Sequence, residues 1–338
     1  MRAMVLHRPA PIDSHPLSLE EVDDPEPRDH EVLIHVEACG VCRTDLHVVE
    51  GDLPPRGPAV VPGHEIVGRV ERVGAGVRSV AIGEKVGLPW LHRTCGRCEF
   101  CTSGRENLCE NKEFTGYSVN GGYSEFALGD EGFLLPVPED ATARWAPFLC
   151  AGIIGYRAFR LAAPRPGGRI GFFGFGGSAH LALQLAAKLG YETVAYSRQS
   201  SHLDLARRLG ATEAVLTSAP GATGGAPRLD GAVVFAPTGP VVLQALRELK
   251  KGGTLSIAAI HLSPIPEIDY DRLLFGERRI VSVEANTRAD AHEFLELATR
   301  LHLESEVTVR PLRAANEALV DLKAGRVNGA VVLDCSRP

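Results

Sequence analysis

Residues 169–179 read RIGFFGFGGSA, and this stretch indicates the fold of the second half of the chain. A short apolar run leads into a turn of the form G-x-G-x-x-A, in which x is any residue. The first glycine permits a tight bend, the second lets the backbone approach a pyrophosphate, and the small last residue lets a helix pack closely on the strand. The N-terminus of that helix adds partial positive charge. The turn residues expected to bind a dinucleotide are Gly174, Gly176, Gly177, Ser178 and Ala179.

Glycine-rich turns also occur as simple connections between a strand and a helix, so the surrounding pattern has to distinguish the two interpretations. After residue 150, strand-like and helix-like stretches alternate. Apolar runs typical of buried strands lie at 193–196, 232–235 and 254–259, and helical periodicity appears at 179–189, 203–209 and 241–250. That succession predicts an α/β fold with a doubly wound parallel sheet, the Rossmann type, over residues 151–285.

The first part of the chain has a different pattern. Short β-type runs are separated by glycine and proline turns, which predicts a compact β-rich domain over residues 1–150. Short strands and one helix return near the end of the chain. We expect residues 286–338 to pack back onto the first domain. The glycine- and proline-rich stretch 218–227 is predicted to be a surface loop.

Composition limits the classes of protein. With 338 residues, two domains are expected, and 44% apolar and 23% charged residues are typical of a soluble globular chain. The net charge of −6 argues against nucleic-acid binding, because no basic excess is available to neutralise phosphates. No apolar stretch has the length of a membrane span, and no signal peptide is visible at the N-terminus. We therefore expect a cytoplasmic protein without membrane contact.

Four cysteines lie close together in a C-x2-C-x2-C-x7-C pattern, and they are Cys95, Cys98, Cys101 and Cys109. Four thiolates at such spacing can surround one Zn²⁺ as a closed tetrahedral, structural site. The alternative is a pair of disulfides, which the intervening residues would also permit. A reducing cytoplasm favours the metal, so residues 91–113 are predicted to form a structural zinc lobe.

The end of the second strand of the predicted parallel sheet distinguishes NAD from NADP. An acidic residue there would bind the ribose 2′-hydroxyl, but the chain has Tyr196, Ser197 and Arg198 instead. A hydroxyl followed by a guanidinium suits a 2′-phosphate, since no carboxylate repels it. We therefore expect Ser197 and Arg198 to favour NADP(H). The alternative is that Arg198 is an ordinary loop arginine in solvent.

Together with residues 39–47, CGVCRTDLH, and 62–68, PGHEIVG, these motifs resemble the zinc-dependent medium-chain alcohol dehydrogenases over essentially the whole chain. The resemblance implies a GroES-like catalytic β-rich domain in two sequence pieces, joined to a Rossmann domain. It implies reversible exchange of hydride between an alcohol and an aldehyde or ketone, with a nicotinamide cofactor. It also implies two zinc ions per chain, one catalytic and one structural, and a homodimer or homotetramer.

The resemblance further implies a catalytic zinc site. Its ligands would be Cys42, His64 and Cys150, a set that leaves one position open for substrate, as catalytic zinc requires. From the residues alone, Cys150 could equally be a buried apolar thiol. Glu65 resembles a carboxylate that approaches the metal during ligand exchange, and Asp45 resembles the group that orients the histidine ligand.

Further roles follow from the same resemblance. Thr44 would contact the substrate oxygen, and a proton would pass from it through the cofactor ribose to His47 and solvent. The ordinary pKa of a histidine suits this relay. Arg43 would contact the pyrophosphate, and Trp90 would narrow the pocket in favour of primary alcohols and unbranched or flat aldehydes. The plain alternatives are a surface histidine, a solvated arginine and a core tryptophan.

The chain departs from the family pattern near its C-terminus. Ala330 occupies a position where the family commonly has an arginine, and Arg326 is not an obvious substitute.

Several other function classes have to be considered. A dinucleotide sensor would lack the zinc ligands, and a zinc-free quinone reductase would lack the cysteine lobe as well. A polyol dehydrogenase, or an NAD(H)-linked alcohol dehydrogenase, is the nearer alternative, although an acidic third ligand would be common in the polyol enzymes.

Overall fold

The computed structural model describes residues 1–218, 226 and 228–336. Most of the predicted loop at 218–227 therefore lies outside the described residues. The strands are β1 (Arg2–Leu6), β2 (Leu17–Glu21), β3 (Glu31–Val41), β4 (Glu65–Val73), β5 (Lys85–Leu88), β6 (Leu91–Arg93), β7 (Glu113–Phe114), β8 (Phe126–Asp130), β9 (Leu135–Pro136), β10 (Arg169–Phe173), β11 (Glu192–Ser197), β12 (Glu213–Leu216), β13 (Leu229–Val234), β14 (Leu249–Ile257), β15 (Arg279–Ser282), β16 (Val307–Pro311) and β17 (Ala330–Asp334).

The helices are α1 (Arg43–Glu50), α2 (Glu99–Thr102), α3 (Ala151–Ala162), α4 (Gly177–Lys188), α5 (Ser200–Arg208), α6 (Gly239–Glu248), α7 (Arg288–Arg300) and α8 (Ala315–Lys323). Short 3-10 turns occur at Ile12–Ser14, Glu106–Leu108, Glu131–Phe133, Ala143–Leu149 and Leu312–Ala314, and a π turn occurs at Tyr270–Leu274. Within the described residues, no helix is both long enough and apolar enough to cross a bilayer.

The second unit contains the predicted parallel sheet. Its six strands run in the order β12-β11-β10-β13-β14-β15, and every pairing is parallel. The strand order reverses between β10 and β13, the kind of switch point at which such sheets bind ligands. Ile170, Val194 and Val233 are fully buried, as expected for strands covered by helices on both faces. The predicted Rossmann fold is confirmed.

The first unit is built around a mixed seven-stranded sheet. The order is β16-β17-β3-β4-β5-β9, and β8 also pairs with β3. The long antiparallel pair of β3 and β4 places Gly40 opposite Glu65. The chain leaves β3 directly into α1, whose N-cap is Cys42, while His64 directly precedes β4. The pairing of β3 with β4 therefore brings the segment that carries Cys42 and the segment that carries His64 to the same edge of the sheet. The β-rich, GroES-like class is confirmed.

The boundary near the C-terminus differs from the predicted one. Residues Thr287–His292 and the segment from Ser305 belong to the first unit, but Glu293–Glu304 belong to the second. Two contacts explain the difference. The fully buried ring of Phe294 fills the space above Gly152, where an added Cβ would lie 2.4 Å from it. The side chain of Gln184 also bonds to the backbone carbonyl of Glu304 at 2.7 Å.

Candidate active site

Four potential metal ligands converge in the first unit. Ligand atoms of Cys42, His64, Glu65 and Cys150 all lie within 4.8 Å of one another. His64, Glu65 and Cys150 are buried, and Cys42 is partly exposed. The Nε2 atom of His64 is buried without a hydrogen-bond partner among the described residues. A buried imidazole nitrogen facing two thiols is a donor set that suits zinc.

Asp45 orients the histidine of this cluster. Its Oδ1 lies 2.8 Å from Nδ1 of His64 and accepts the backbone N–H of Gly63 at 3.2 Å. Its Oδ2 accepts the backbone N–H of Cys42 at 2.8 Å and the hydroxyl of Tyr123 at 3.0 Å. Because Nδ1 is held by the carboxylate, Nε2 is the nitrogen directed at the two thiols. Burial by itself lowers the pKa of His64, but the charge and hydrogen bond of Asp45 raise that pKa well above its ordinary value.

The two thiols of the cluster influence each other. The hydrogen bond from Cys150 holds the pKa of Cys42 well below its ordinary range, and His64 acts in the same direction. The same contact with Cys42, together with burial, raises the pKa of Cys150. Cys42 is therefore the thiol most ready to be a thiolate, and a divalent cation placed between the two sulfurs would favour the deprotonated form of both.

Glu65 occupies space that Gly40 leaves open. A Cβ added to Gly40 would lie 1.8 Å from Oε2 of Glu65, so only glycine fits at this position of β3.

Ala330, which stands where the family commonly has an arginine, is buried and is the first residue of β17. Nε of Arg326 bonds to Asp321 at 2.7 Å, so Arg326 is occupied there.

The cysteine lobe forms a second cluster, located between β6 and β7. The ligand atoms of its four cysteines lie within 4.8 Å of one another. The Sγ atoms of Cys98 and Cys101 are 3.5 Å apart, far longer than a disulfide bond. Backbone N–H groups of Arg97 and Cys98 lower the pKa of Cys95 to about 6, which favours its thiolate. This arrangement favours a metal site over the pair of disulfides.

Helix α1 carries the candidate relay residues. Thr44 Oγ1 lies 3.7 Å from Sγ of Cys42, and His47 is buried one turn further along. Nδ1 of His47 lies 2.7 Å from Oδ2 of Asp52, a residue that the sequence analysis did not identify. The sequence contained one signal for this contact. Gly51 ends helix α1 with φ of +82°, and a glycine at the end of a helix indicates that the chain reverses there and brings Asp52 near His47. Arg43 donates to the backbone carbonyl of Leu322 at 3.3 Å.

Trp90 lies beside the first cluster. Its ring meets the imidazole of His64 edge-on at 4.8 Å between centroids. It also stacks on Phe114 at 4.5 Å and lies nearly parallel to Tyr117 at 6.0 Å. Trp90 is therefore a buried tryptophan packed in an aromatic layer, and its indole also borders the histidine of the metal cluster.

The glycine-rich turn lies where β10 ends and α4 begins. Gly174 has φ of +89°, and a Cβ there would lie 2.9 Å from the backbone nitrogen of Ala236, so both conformation and space require glycine. A Cβ on Gly176 would meet no atom within 4 Å. At the end of β11, Ser197 Oγ accepts the backbone N–H of Gln199 at 3.2 Å, and Arg198 is exposed.

Comparison with known proteins identifies the class. Residues 28–139 match the family model of the alcohol dehydrogenase GroES-like domain, and residues 177–300 match that of the zinc-binding dehydrogenases. The chain belongs to the zinc-dependent medium-chain alcohol dehydrogenase family. Its activity is that of an alcohol dehydrogenase.

Individual relatives agree along almost the whole chain. A protein from Mycobacterium tuberculosis described as "Probable alcohol dehydrogenase AdhA" is 46% identical, over 98% of this chain and 97% of its own length. Cinnamyl alcohol dehydrogenase from Sorghum bicolor superposes with a TM-score of 0.90 at 27% identity, covering 99% of this chain and 97% of that one. A cobalt- and zinc-bound thermostable alcohol dehydrogenase from Pyrobaculum aerophilum gives 0.90 at 26%, covering 99% of both chains.

Proposed function

We propose that the chain is a zinc-dependent alcohol dehydrogenase or aldehyde reductase that exchanges a hydride between a primary alcohol, or aldehyde, and NADP(H). The observation that carries the proposal is the cluster of Cys42, His64 and Cys150, in which the buried Nε2 of His64 faces two sulfurs. Zinc held by these residues would act as a Lewis acid on the substrate oxygen. Glu65 belongs to the same cluster and is the candidate for transient approach to the metal.

The residues of α1 supply the path for the proton. Thr44 and His47 are three residues apart and so share one face of the helix. The Thr44 hydroxyl lies near the sulfur of Cys42, where it can hydrogen-bond to a bound substrate oxygen. The contact of Nδ1 with Asp52 orients the imidazole of His47, and a histidine is the side chain suited to take up and release the proton near neutral pH.

The cofactor preference is inferred from the end of β11. An exposed arginine after a serine favours a 2′-phosphate, and no carboxylate is present at these two positions to bind a 2′-hydroxyl. Arg43 and the turn from Gly174 to Ala179 would contact the pyrophosphate. An NAD(H)-linked alcohol or polyol dehydrogenase of the same superfamily is the second candidate, because a loop arginine can also remain in solvent.

The substrate preference is inferred from Trp90. A large indole beside His64 leaves less room for a carbon substituent on both sides of the reacting carbon. Primary alcohols and flat or unbranched aldehydes fit this shape better than bulky secondary alcohols. The structural relative from Sorghum bicolor is named for cinnamyl alcohol, a flat primary alcohol, which agrees with this inference.

Two cysteine variants test the assignment of the metals. The wild-type protein should contain two zinc ions per chain and oxidise a primary alcohol with NADP⁺. Cys42→Ser should retain one zinc per chain and lose activity. Cys98→Ser should also retain one zinc per chain, but its main effect should be a lower thermal stability. A fully metallated wild-type protein that exchanges no hydride between any alcohol or carbonyl and either nucleotide would contradict the proposal.

The remaining expectations concern assembly and location. We infer a homodimer or homotetramer in the cytoplasm, acting on a small-molecule alcohol or aldehyde without nucleic-acid or membrane partners. The support is the resemblance to the family and the negative net charge of −6. Light scattering of the purified protein measures the number of chains, and a molar mass equal to one chain would contradict the inferred assembly.

A further inference from the structure

Tyr123 is a buried tyrosine that the reaction scheme above does not use. Its side chain is fully buried, and its hydroxyl donates to Oδ2 of Asp45 at 3.0 Å. The backbone holds the residue firmly in place, since its N–H donates to the carbonyl of Pro62 at 2.9 Å and its carbonyl accepts the N–H of Met4 at 2.8 Å. Tyr123 therefore contacts the carboxylate that orients His64 from a fixed position.

The ring of Tyr123 also packs against the turn that carries His64. Gly63 has φ of +98°, and a Cβ at this position would lie 2.4 Å from Cδ1 of Tyr123. The backbone N–H of Gly63 donates to Oδ1 of Asp45 at 3.2 Å. The aromatic ring and the carboxylate thus hold the residue before His64 from two sides.

We infer that Tyr123 is a positioning residue of the catalytic metal centre, acting through Asp45 on the direction of His64 Nε2. The inference rests on the proposed function, because it assumes that Cys42, His64 and Cys150 hold zinc. Each oxygen of the Asp45 carboxylate has two neighbours, so the four contacts fix its rotation as well as its position. Without the hydroxyl, Oδ2 retains the N–H of Cys42 alone among these contacts.

Water offers little compensation for the lost donor. Asp45 and His64 are both fully buried, and a buried acceptor that loses a partner bears the full cost of its desolvation. The carboxylate is then free to rotate toward its remaining donors, and the imidazole that it holds follows. A hydrogen bond two steps from the metal therefore sets how firmly the nitrogen ligand is held.

The test removes only the hydroxyl. Tyr123→Phe keeps the ring against Gly63, and Tyr191→Phe is the matched control, since its hydroxyl donates to the carbonyl of Pro164 at 3.3 Å in the second unit. Zinc release from the holoenzyme into excess chelator is followed with a metal-sensitive dye. The phase belonging to the cysteine lobe is identified as the one missing in Cys98→Ser.

Tyr123→Phe should release catalytic zinc about 3- to 30-fold faster than wild type. Residues that hydrogen-bond directly to a metal ligand usually contribute about 10- to 100-fold to metal affinity, and Tyr123 acts one residue further away, through Asp45. The lobe phase and the Tyr191→Phe protein should be unchanged. After cobalt replaces zinc, the visible bands from the Cys42 and Cys150 site should shift in Tyr123→Phe and not in the control. These two readouts report ligand geometry, which a role in packing alone would not alter.

Two results would overturn the inference while leaving the proposed function intact. One is catalytic zinc release in Tyr123→Phe within twofold of wild type, with unchanged cobalt bands. The other is equal acceleration of both phases, which would indicate a general loss of stability. If wild type itself held zinc only in the lobe, the proposed function would fail first and the inference with it.

Discussion

Nδ1 of His47 lies 2.7 Å from Oδ2 of Asp52, and this contact holds the imidazole in one orientation on helix α1. A carboxylate oxygen only accepts, so Asp52 sets the orientation of this buried ring, which the proposed relay uses. Asp52→Asn removes the charge while keeping the shape. Since general acid–base groups contribute about 10²- to 10⁴-fold to rate, loss of orientation alone should lower kcat by about 3- to 10-fold.

The measurement is kcat for alcohol oxidation in steady state, with metal content determined for each protein. Asp23→Asn, at an exposed position, is the matched control and should behave as wild type. His47→Ala should be slower than Asp52→Asn. An Asp52→Asn protein as fast as wild type would show that Asp52 does not support the relay.

Arg198 tests the cofactor preference. If its guanidinium contacts the 2′-phosphate, Arg198→Ala should lower the ratio of kcat/KM for NADPH over NADH by about 10- to 100-fold, the value of one hydrogen bond between charged groups. Arg198→Lys keeps the charge but loses the planar guanidinium, so its NADPH/NADH ratio of kcat/KM should lie between those of wild type and Arg198→Ala. An unchanged ratio in Arg198→Ala would favour the NAD(H)-linked alternative.

Trp90 tests the substrate preference. Trp90→Ala should raise kcat/KM for a secondary alcohol relative to its primary isomer by about 10-fold, since one methyl-sized group in an apolar pocket contributes about this much. The substitution also removes stacking on Phe114, so stability should fall by about 3–5 kcal/mol. Trp90→Phe retains part of the layer and should give a smaller change in the ratio. Equal ratios in all three proteins would remove Trp90 from the pocket.

Local sequence patterns predicted the fold well and singled out the four cysteines of the lobe, because both depend on short motifs. The turn at Gly174 needs a positive φ and close backbone approach, and glycine spacing reveals both. The four lobe cysteines lie within 15 residues of chain, so their spacing alone indicates a shared site. Cys150 is different, since it reaches Cys42 only through the tertiary fold. Its assignment depended on the family resemblance.

The supporting residues could not be found in this way. Tyr123 is 78 positions from Asp45, and no local pattern links a tyrosine to a carboxylate at that separation. Gly40 is demanded by a side chain on the neighbouring strand, which becomes visible only when the register of β3 and β4 is known. The assignment of Glu293–Glu304 to the second unit likewise depends on where Phe294 is buried.

Gly40 provides a test of the position of Glu65. Because a Cβ would lie 1.8 Å from Oε2 of Glu65, Gly40→Ala must displace that carboxylate or the strand itself. We expect a loss of stability of about 1–3 kcal/mol, as for other overpacked sites, together with reduced zinc content. Gly57→Ala is the control, since its Cβ would meet only the carbonyl of Ala59, at 3.7 Å. Wild-type stability in a denaturant titration of Gly40→Ala would contradict this packing.

The burial of His180 leads to a prediction of how the stability of the second unit depends on pH. The residue is fully buried in α4, close to the glycine-rich turn, and burial lowers its pKa from 6.5 to about 4. The unfolded chain therefore binds a proton more readily than the folded one between these values. The stabilising contribution is complete above pH 6.5 and is lost as the pH falls toward 4. At pH 5 the loss relative to pH 7.5 amounts to about 2 kcal/mol.

Replacing this histidine by a group that does not titrate should remove that part of the pH dependence. Denaturant midpoints of wild type, His180→Gln and the exposed control His292→Gln are compared at pH 5 and pH 7.5, with zinc in excess. Zinc sites weaken on acidification in all three proteins, so only the difference between variants is informative. His180→Gln should lose less stability on acidification than the other two. Equal losses in all three would mean that His180 becomes protonated without unfolding, because water reaches it inside the folded unit.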